Sequence, residues 1–428
     1  MQKNPPITVQ TAAEAENSLY KKSILRNGIR VVSETIPHVR SVSVGVWADV
    51  GSRDEDFQRN GISHFLEHMV FKGTRKRSSK EIAQSLESLG GYLNAFTTKE
   101  QTCFYARILD AYLPQALDVL SDLVLNATFR DPELRKERLV VIEELRNAED
   151  DPEDIIHDYF EKAIFPDHTL GNPIIGTAEN VKRFGRDDLH DHLKRHYLSS
   201  RMVIAAAGSV RHEDLIEKAN TYFGSLSDNG PRPLKRTPGP TKAHKGGALD
   251  HTRSINQAHV CIGTIAYSIR HQDRYPLLVL NALLGEGMSS RLYQTIREKH
   301  GLAYSVYSFV NMLSDTGIFG AYLGTDPKNL ASALELVKEE LHRLRVKPVS
   351  RRELERTKAQ IKGTMMLGLE NMSGRMIRLG SGEMYFGSFI SLDTILNRVD
   401  AVTPESVQRV ATDIFRDEAF TTVTIRPS

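Results

Sequence analysis

The chain has 428 residues, of which 40% are hydrophobic and 26% are charged, and its formal net charge at pH 7 is +2. This length exceeds what a single hydrophobic core supports, so it predicts two domains. The balanced charge excludes a general electrostatic attraction to nucleic acid or to anionic membranes, and we expect neither as a partner.

The N-terminal segment and the cysteines bear on location. Residues 1–22 lack an apolar stretch and carry Glu14 and Glu16, which argues against a signal peptide and a transit peptide. No run approaches the roughly 18 apolar residues of a spanning helix. Cys103 and Cys261 each lie in an apolar, strand-like run, so we expect buried thiols and no disulfide. Together these features predict a cytoplasmic protein.

Strand and helix patterns alternate through the first half of the chain. The predicted elements are a hairpin at Asn27-Gly28, a strand at 41–50, helices at 61–72 and 78–89, strands at 91–100 and 102–109, and helices from 113 and from 131. Asp131 can cap the last of these helices, and Pro132 suits its first turn.

The second half repeats this order. Its predicted elements are a strand at 258–265, helices at 275–284 and 289–299, strands at 303–310 and 316–325, and a helix from 326. Each half also ends with a helix and a strand, at 187–208 and 403–427. The repetition indicates a duplicated α+β domain, with an antiparallel-rich sheet flanked by helices in each copy.

A Pro-, Gly- and Lys-rich segment separates the two halves. Residues 228–247 show neither helical nor strand periodicity and are interpreted as a linker. The predicted organisation is an N-terminal domain over 1–227, the linker, and a homologous C-terminal domain over 248–428.

The segment "HFLEH" holds the residues with the clearest chemistry. On a helix, His64 and His68 share a face and can present two imidazoles to one metal ion, with Glu67 beside them. Two histidines, a carboxylate and a water form a usual catalytic zinc set, and Glu67 would then be free to act as a general base. So short a motif also arises by chance, and a third ligand would decide.

A helix further along the chain offers three glutamates as that ligand. Glu137 and Glu144 are seven residues apart and share a face, whereas Glu143 points about 100° away. The second half of the chain contains no H-x-x-E-H, so the sequence predicts one metal site per chain.

With these residues the sequence resembles the M16 (pitrilysin-type) zinc peptidases, nearest to the processing-peptidase β-subunits of mitochondria and short bacterial homologues. In that family the inverted H-x-x-E-H precedes a ligand glutamate by some 76 residues, which here is Glu144. The resemblance spans nearly the whole chain. It implies one Zn²⁺ bound by His64, His68 and Glu144, with Glu67 as the base and Glu137 supporting the metal site from outside.

The resemblance also implies a surface that binds the substrate backbone. Asn94 and Ala95 match the family's edge strand, to which an extended peptide adds by main-chain hydrogen bonds. The alternative is that Asn94 only shapes the start of the strand. Asp154 and Asp158 match acidic residues that hold a substrate arginine in processing-peptidase β-subunits. The alternative for these two aspartates is a solvated acidic face.

Arg297 and Tyr304 match a family Arg/Tyr pair that can hydrogen-bond a substrate carbonyl or the oxyanion formed on attack. In the family this pair reaches a zinc site held by a different half-shell. For a chain of this length, that implies a clam-shell homodimer in which the pair can serve the partner's zinc. The alternative is a surface arginine and a core tyrosine.

The resulting functional prediction is a zinc metalloendopeptidase that hydrolyses peptides or extended segments in a closed chamber. The main alternative is a non-catalytic or heterodimer-dependent partner subunit of the same fold, since the family includes such members. A structural zinc site with four protein ligands is a third hypothesis, but no cysteine lies near the motif.

Overall fold

The computed structural model describes residues 19–228, 236–240 and 246–428. Most of the predicted linker and the N-terminal residues 1–18 lie outside the described residues. The strands of the described part are β1 (Tyr20–Ile24), β2 (Arg30–Thr35), β3 (Ser41–Ala48), β4 (Tyr92–Thr97), β5 (Thr102–Leu109), β6 (Met202–Gly208), β7 (Ala248–Arg253), β8 (Ala258–Ala266), β9 (Ala303–Met312), β10 (Gly317–Thr325) and β11 (Thr421–Pro427).

The helices of the described part are α1 (Ile62–Val70), α2 (Ser79–Glu87), α3 (Leu113–Asn126), α4 (Asp131–Asp150), α5 (Pro152–Ile164), α6 (Ala178–Arg183), α7 (Arg186–His196), α8 (His212–Phe223), α9 (Arg274–Gly285), α10 (Leu330–Val346), α11 (Arg351–Gly368), α12 (Met372–Phe386), α13 (Leu392–Asp400) and α14 (Pro404–Ile414). The described part of the chain contains the helices predicted from the sequence and six α-helices that were not predicted, α5, α6, α8, α11, α12 and α13. The helix predicted at 289–299 is a π-helical segment, Tyr293–Lys299.

The chain divides into two units, each built on one sheet. The first unit contains the described residues up to Leu145, those of Pro173–Arg236, and Leu367–Phe389. Its sheet has the order β1-β2-β6-β3-β5-β4, in which only the β2/β6 pair is parallel. Helices α1, α2, α3 and α8 pack on one face and α12 on the other.

The second unit contains Arg146–Asn172, the described residues of Thr237–Met366, and Ile390–Ser428. Its sheet has the order β7-β11-β8-β10-β9, with a parallel β7/β11 pair and otherwise antiparallel neighbours. Helices α9, α10 and α14 pack together beside this sheet, and α5 packs on β8 and β11.

The two sheets repeat one topology, as the sequence predicts. Strands β2, β6, β3, β5 and β4 correspond in order to β7, β11, β8, β10 and β9, and the single parallel pair falls at the same place in both sheets. The α+β fold with two similar halves is therefore confirmed, and β1 is an addition to the first sheet.

The units differ from the predicted domains at two segments. Arg146–Asn172, expected in the N-terminal domain over 1–227, packs in the second unit, and Leu367–Phe389, expected in the C-terminal domain, packs in the first. The reason is that each sheet has a second apolar face to cover. In the second unit Ile156 and Phe160 of α5 cover it, and in the first unit Met376 of α12 does so.

Strand β3 shows the effect of this cover. Its residues alternate in sequence, which is typical of a half-exposed strand, yet all but the first are buried. Val42, Val44 and Val46 face the core beneath α1 and α3. On the opposite face Ser43 hydrogen-bonds Ser373 of α12 at 2.9 Å, so neither face of this strand meets water.

Two further expectations concern the thiols and membranes. Cys103 and Cys261 are both free and buried, as predicted. None of the helices formed by the described residues has the length and apolar character needed to cross a bilayer.

Candidate metal centre and substrate strand

The candidate centre lies in the first unit and begins with the helix that carries "HFLEH". Phe65, Leu66 and Met69 are fully buried, and their spacing leaves His64, Glu67 and His68 together on the half-buried side of α1. The sequence pattern therefore divides the helix into a core face and a face that carries the candidate metal-binding residues.

A buried carboxylate caps the start of this helix. The Glu55 side chain accepts hydrogen bonds from the backbone N–H groups of Gly61 and Ser63, both at 2.8 Å, and from the Asn60 amide at 3.1 Å. Burial raises the pKa of Glu55 to about 7, although these hydrogen bonds oppose the rise. The helix N-terminus is thus fixed by a side chain from the preceding loop.

Helix α4 brings the third candidate ligand to the two histidines. Its buried face includes Leu134 and Val141. The exposed Glu144 side chain lies with Oε1 at 3.7 Å from Nε2 of His64 and Oε2 at 3.4 Å from Nε2 of His68. Glu144, and not its neighbour Glu143, therefore faces the histidines.

The donor set fits zinc. A tetrahedral ion with bonds of about 2.0–2.2 Å places neighbouring ligand atoms about 3.3–3.6 Å apart, close to the observed separations. Within the residues that the structure describes, His64, His68 and Glu144 form the group of candidate ligands whose atoms all lie within 4.8 Å of one another. Two nitrogens and one oxygen leave a fourth position for water or substrate.

The two imidazoles are held differently. Nδ1 of His68 lies 2.9 Å from Oε1 of the buried Glu137, whose other oxygen lies 2.8 Å from Nζ of Lys72. This contact places the proton of neutral His68 on Nδ1 and leaves the lone pair of Nε2 available on the side of the ring where His64 and Glu144 lie. Nδ1 of His64 is buried and has no hydrogen-bond partner among the described residues.

The local charges follow from this arrangement. Burial, with a smaller contribution from His68, lowers the pKa of His64 to about 4, so its imidazole is neutral at pH 7, as a metal ligand requires. Burial alone would lower the pKa of His68, but the hydrogen bond with Glu137 and the charge of Glu144 raise it. The carboxylates therefore concentrate negative charge around His68, where a cation is favoured.

Glu67 lies beside the histidines and makes one strong contact. The Thr97 hydroxyl donates a hydrogen bond of 2.6 Å to Oε2 of Glu67. Burial raises the pKa of the Glu67 carboxyl, while the Thr97 hydrogen bond and the nearby His68 oppose the rise. A carboxylate with a raised pKa, fixed by one donor, has the properties of a general base.

Sequence analysis missed Thr97 and Lys72. Thr97 lies two residues after Ala95 and therefore on the same face of β4. The two-residue repeat of the strand could have identified it from the sequence. Lys72 follows the motif by four residues, but its pairing with Glu137 across 65 positions has no local signal.

The candidate substrate strand, β4, is the terminal strand of its sheet. Asn94 pairs with Tyr105 and Ala95 with Phe104 of β5. At the hairpin the Thr98 N–H donates to the Gln101 carbonyl at 2.8 Å. The N–H and C=O groups of successive residues point alternately to the two sides of a strand. Those of Ala95 therefore point away from β5, to the side on which no further described strand pairs with β4.

Arg297 and Tyr304 lie in the second unit and contact each other. The Arg297 guanidinium lies 4.7 Å from the Tyr304 ring centroid and 4.8 Å from that of Tyr293. The Tyr304 side chain is 77% exposed, so the alternative of a core tyrosine is wrong. The two residues form a cation–π pair at the surface of this unit.

Asp154 and Asp158 lie on α5, four positions apart, and therefore share a helix face. Asp154 is exposed and Asp158 is half-buried. Both belong to the second unit, not to the unit that contains His64, His68 and Glu144.

Comparisons with known proteins agree with the fold and the motif. The family model described as "Insulinase (Peptidase family M16)" matches residues 30–178, and the model described as "Peptidase M16 inactive domain" matches residues 183–361. The chain belongs to peptidase family M16, as the sequence resemblance predicts.

Individual relatives cover nearly the full chain. It is 41% identical over 410 residues to a Bacillus subtilis protein named "Uncharacterized zinc protease YmxG", an alignment that covers 96% of this chain and 99% of that protein. It is 39% identical over 411 residues to "Uncharacterized zinc protease SCO5738" of Streptomyces coelicolor. That alignment covers 95% of this chain and 90% of that protein. The predicted likeness to bacterial members of the family is confirmed.

Solved structures share the fold. A protease from Helicobacter pylori superposes with a TM-score of 0.88 at 24% identity and covers 95% of this chain and 99% of that chain. A peptidase M16 inactive domain from Pseudomonas fluorescens superposes with a TM-score of 0.89 at 19% identity. It covers 96% of this chain and 98% of that chain. At these identities the likeness concerns the fold alone.

Proposed function

We propose that this protein is a zinc metallopeptidase with one active centre per chain. The observation that carries the proposal is the convergence of His64, His68 and Glu144, with the Glu67 carboxylate beside them. A zinc ion held there supplies the Lewis acidity that lowers the pKa of water and polarises a peptide carbonyl.

The protein's own groups account for the proton transfers. Glu67 takes a proton from the attacking water as the new C–O bond forms. It then delivers this proton to the amide nitrogen as the C–N bond breaks, so the products are a carboxylic acid and an amine, and the acid passes its remaining proton to the amine to give a carboxylate and an ammonium group. Thr97 restricts the orientation of Glu67, and Glu137 fixes the orientation of His68.

The substrate in this proposal is an extended peptide bound to the edge of β4. Ala95 contributes backbone groups to the added strand, and the side-chain amide of Asn94 governs access to them. Because main-chain hydrogen bonds accept many side chains, this mode suits an endopeptidase with broad sequence tolerance. Asp154 and Asp158 are proposed to bind a basic side chain of the substrate.

One variant tests the catalytic assignment. Glu67→Gln is expected to keep zinc, measured by atomic emission, and to lose hydrolysis of a mixed peptide library followed by mass spectrometry. A Glu67→Gln protein that cleaves at the wild-type rate would contradict the mechanism.

A pair of variants tests the metal ligand with a matched control. Glu144→Gln is expected to lose zinc, whereas Glu143→Gln changes the adjacent exposed carboxylate and is expected to keep it. Equal zinc contents in the two variants would refute the assignment of Glu144.

We also propose a homodimer in which Arg297 and Tyr304 serve the partner's metal centre. The support is the family resemblance and the exposure of Tyr304. Inactive Glu67→Gln and Arg297→Ala proteins, unfolded and refolded together, should regain activity if the pair acts on the partner, because one centre then has both groups. A mixture that stays inactive, although both chains form mixed dimers, would contradict action on the partner.

The alternative is a non-catalytic or heterodimer-dependent subunit. The family model described as inactive matches residues 183–361, a range that reaches from the end of the first half into the second half, and this range lacks the H-x-x-E-H motif. Protein purified without chelators that contains no zinc would favour the scaffold function. Peptidase activity that appears only after a second, different chain is added would favour the heterodimer. The cytoplasmic location stays a prediction.

A further inference from the structure

One backbone N–H group of the proposed substrate strand, that of Ala95, is already hydrogen-bonded to a side chain of the same strand. Oδ1 of Asn94 accepts a hydrogen bond of 2.9 Å from the backbone N–H of Ala95. That N–H points away from β5, toward the edge where an added peptide would place its carbonyl oxygen. The side-chain amide therefore occupies the donor that the peptide needs.

Tyr92 holds the Asn94 side chain in this orientation, and Tyr105 lies beside it. Nδ2 of Asn94 donates a hydrogen bond of 2.6 Å to the Tyr92 hydroxyl. Tyr105 lies directly opposite Asn94 on β5, and burial raises the pKa of its phenol while a hydrogen bond with Asn94 opposes the rise. The two tyrosine rings lie 6.3 Å apart by centroid, on the same sheet face as Asn94.

We propose that the Asn94 side chain, held by Tyr92, is an internal cap on β4 that an incoming peptide carbonyl displaces. The inference rests on the proposed peptidase function. An amide oxygen and a peptide carbonyl are equivalent acceptors, so their exchange at the Ala95 N–H is nearly neutral. The net cost of peptide binding then comes from releasing Asn94 from Tyr92.

The cap has a second consequence for the free protein. An exposed strand edge with unpaired backbone groups invites pairing with other chains. By satisfying the Ala95 N–H internally, Asn94 reduces this hazard while leaving a donor that a competing carbonyl can take. The group recognised is a main-chain carbonyl, so the cap itself selects for extended peptide and not for any side chain.

Tyr92→Phe tests the cap because it removes the acceptor for Nδ2 of Asn94 and keeps the aromatic ring. The probe is one internally quenched peptide that the zinc-loaded wild-type enzyme cleaves. Loss of one hydrogen bond is expected to lower KM about two- to tenfold with kcat unchanged. Tyr222→Phe, on α8, is the matched control and is expected to leave both constants unchanged. An unchanged or higher KM in Tyr92→Phe overturns the proposal.

A second measurement does not depend on peptidase activity. Hydrogen–deuterium exchange with single-residue fragmentation, on the full chain without peptide, should show the Ala95 amide exchanging about two- to tenfold faster in Tyr92→Phe than in the wild type. Equal exchange rates overturn the cap. If the wild type cleaves no peptide, the proposed function fails, and the exchange rates still decide whether the cap exists.

Discussion

The contact between Glu137 and His68 leads to a quantitative prediction about zinc affinity. Oε1 of Glu137 meets Nδ1 of His68 at 2.9 Å, and Oε2 meets Nζ of Lys72 at 2.8 Å, with the carboxylate side chain only 4% exposed. In Glu137→Gln, one end of the side chain becomes an NH₂ donor. It must then face a second donor, either the Lys72 ammonium or the His68 N–H, so one of the two contacts is lost.

The magnitude follows from the role of such partners. Groups that orient a metal-binding histidine are typically worth 10- to 100-fold in metal affinity, which is about 1.4–2.7 kcal/mol. We therefore expect the zinc dissociation constant of Glu137→Gln to rise by about this factor. Because Glu137 does not contact the metal-facing Nε2 atoms, the zinc stoichiometry at saturation should stay at one per chain.

The assay is a competition titration at pH 7 between the metal-free protein and a chromophoric zinc chelator. Glu133→Gln is the matched control, since Glu133 lies one turn earlier on α4 and pairs with the exposed Lys136 at 3.2 Å. A surface pair of this kind contributes little, so its loss should change the dissociation constant less than twofold. A Glu137→Gln constant within twofold of the wild type would refute the reasoning.

Three further predictions concern other contacts. Thr97→Val removes the hydroxyl that orients the proposed general base and should lower kcat about tenfold with zinc content unchanged; steady-state kinetics with an unchanged kcat would contradict this role. A Cβ on Gly380 would collide with the indole of Trp47, so Gly380→Ala should destabilise the fold by about 1–3 kcal/mol. Calorimetry should show a lower Tm than for Gly382→Ala, where a Cβ meets no atom within 4 Å, and equal Tm values would contradict this packing. Burial lowers the pKa of His212, which lies between two serine hydroxyls, to about 4, so the unfolded chain binds a proton that the folded chain excludes. The free energy of unfolding should fall as pH drops from about 6.5 to 4, and less steeply in His212→Gln; urea titrations with equal slopes would contradict this.

The candidate metal ligands show what local sequence can establish. His64 and His68 are four residues apart, and the helical repeat alone places them on one face. Glu144 required the family spacing as well, because its distance from the histidines depends on how α1 and α4 pack. The repeated α+β order was equally accessible, since strand and helix periods are local properties of the chain.

The surroundings of these ligands were decided by tertiary structure. The Lys72–Glu137 pair spans 65 positions, the Thr97–Glu67 hydrogen bond spans 30, and Glu55 reaches the N-terminus of α1 from a loop. No periodic pattern encodes such contacts, because they depend on which faces meet after the chain has folded back on itself.

The packing of α5 and α12 illustrates the same division. The domain bounds predicted from sequence grouped both segments with their sequence neighbours, and no helix was predicted for either, yet each packs in the other unit, where the second apolar face of a sheet needs cover. Sequence alone identified the candidate residues of "HFLEH" and showed that one unit is repeated. Tertiary structure decided which sheet each helix covers and which side chains hold the candidate ligands, because burial of apolar surface depends on long-range contacts that local patterns do not specify.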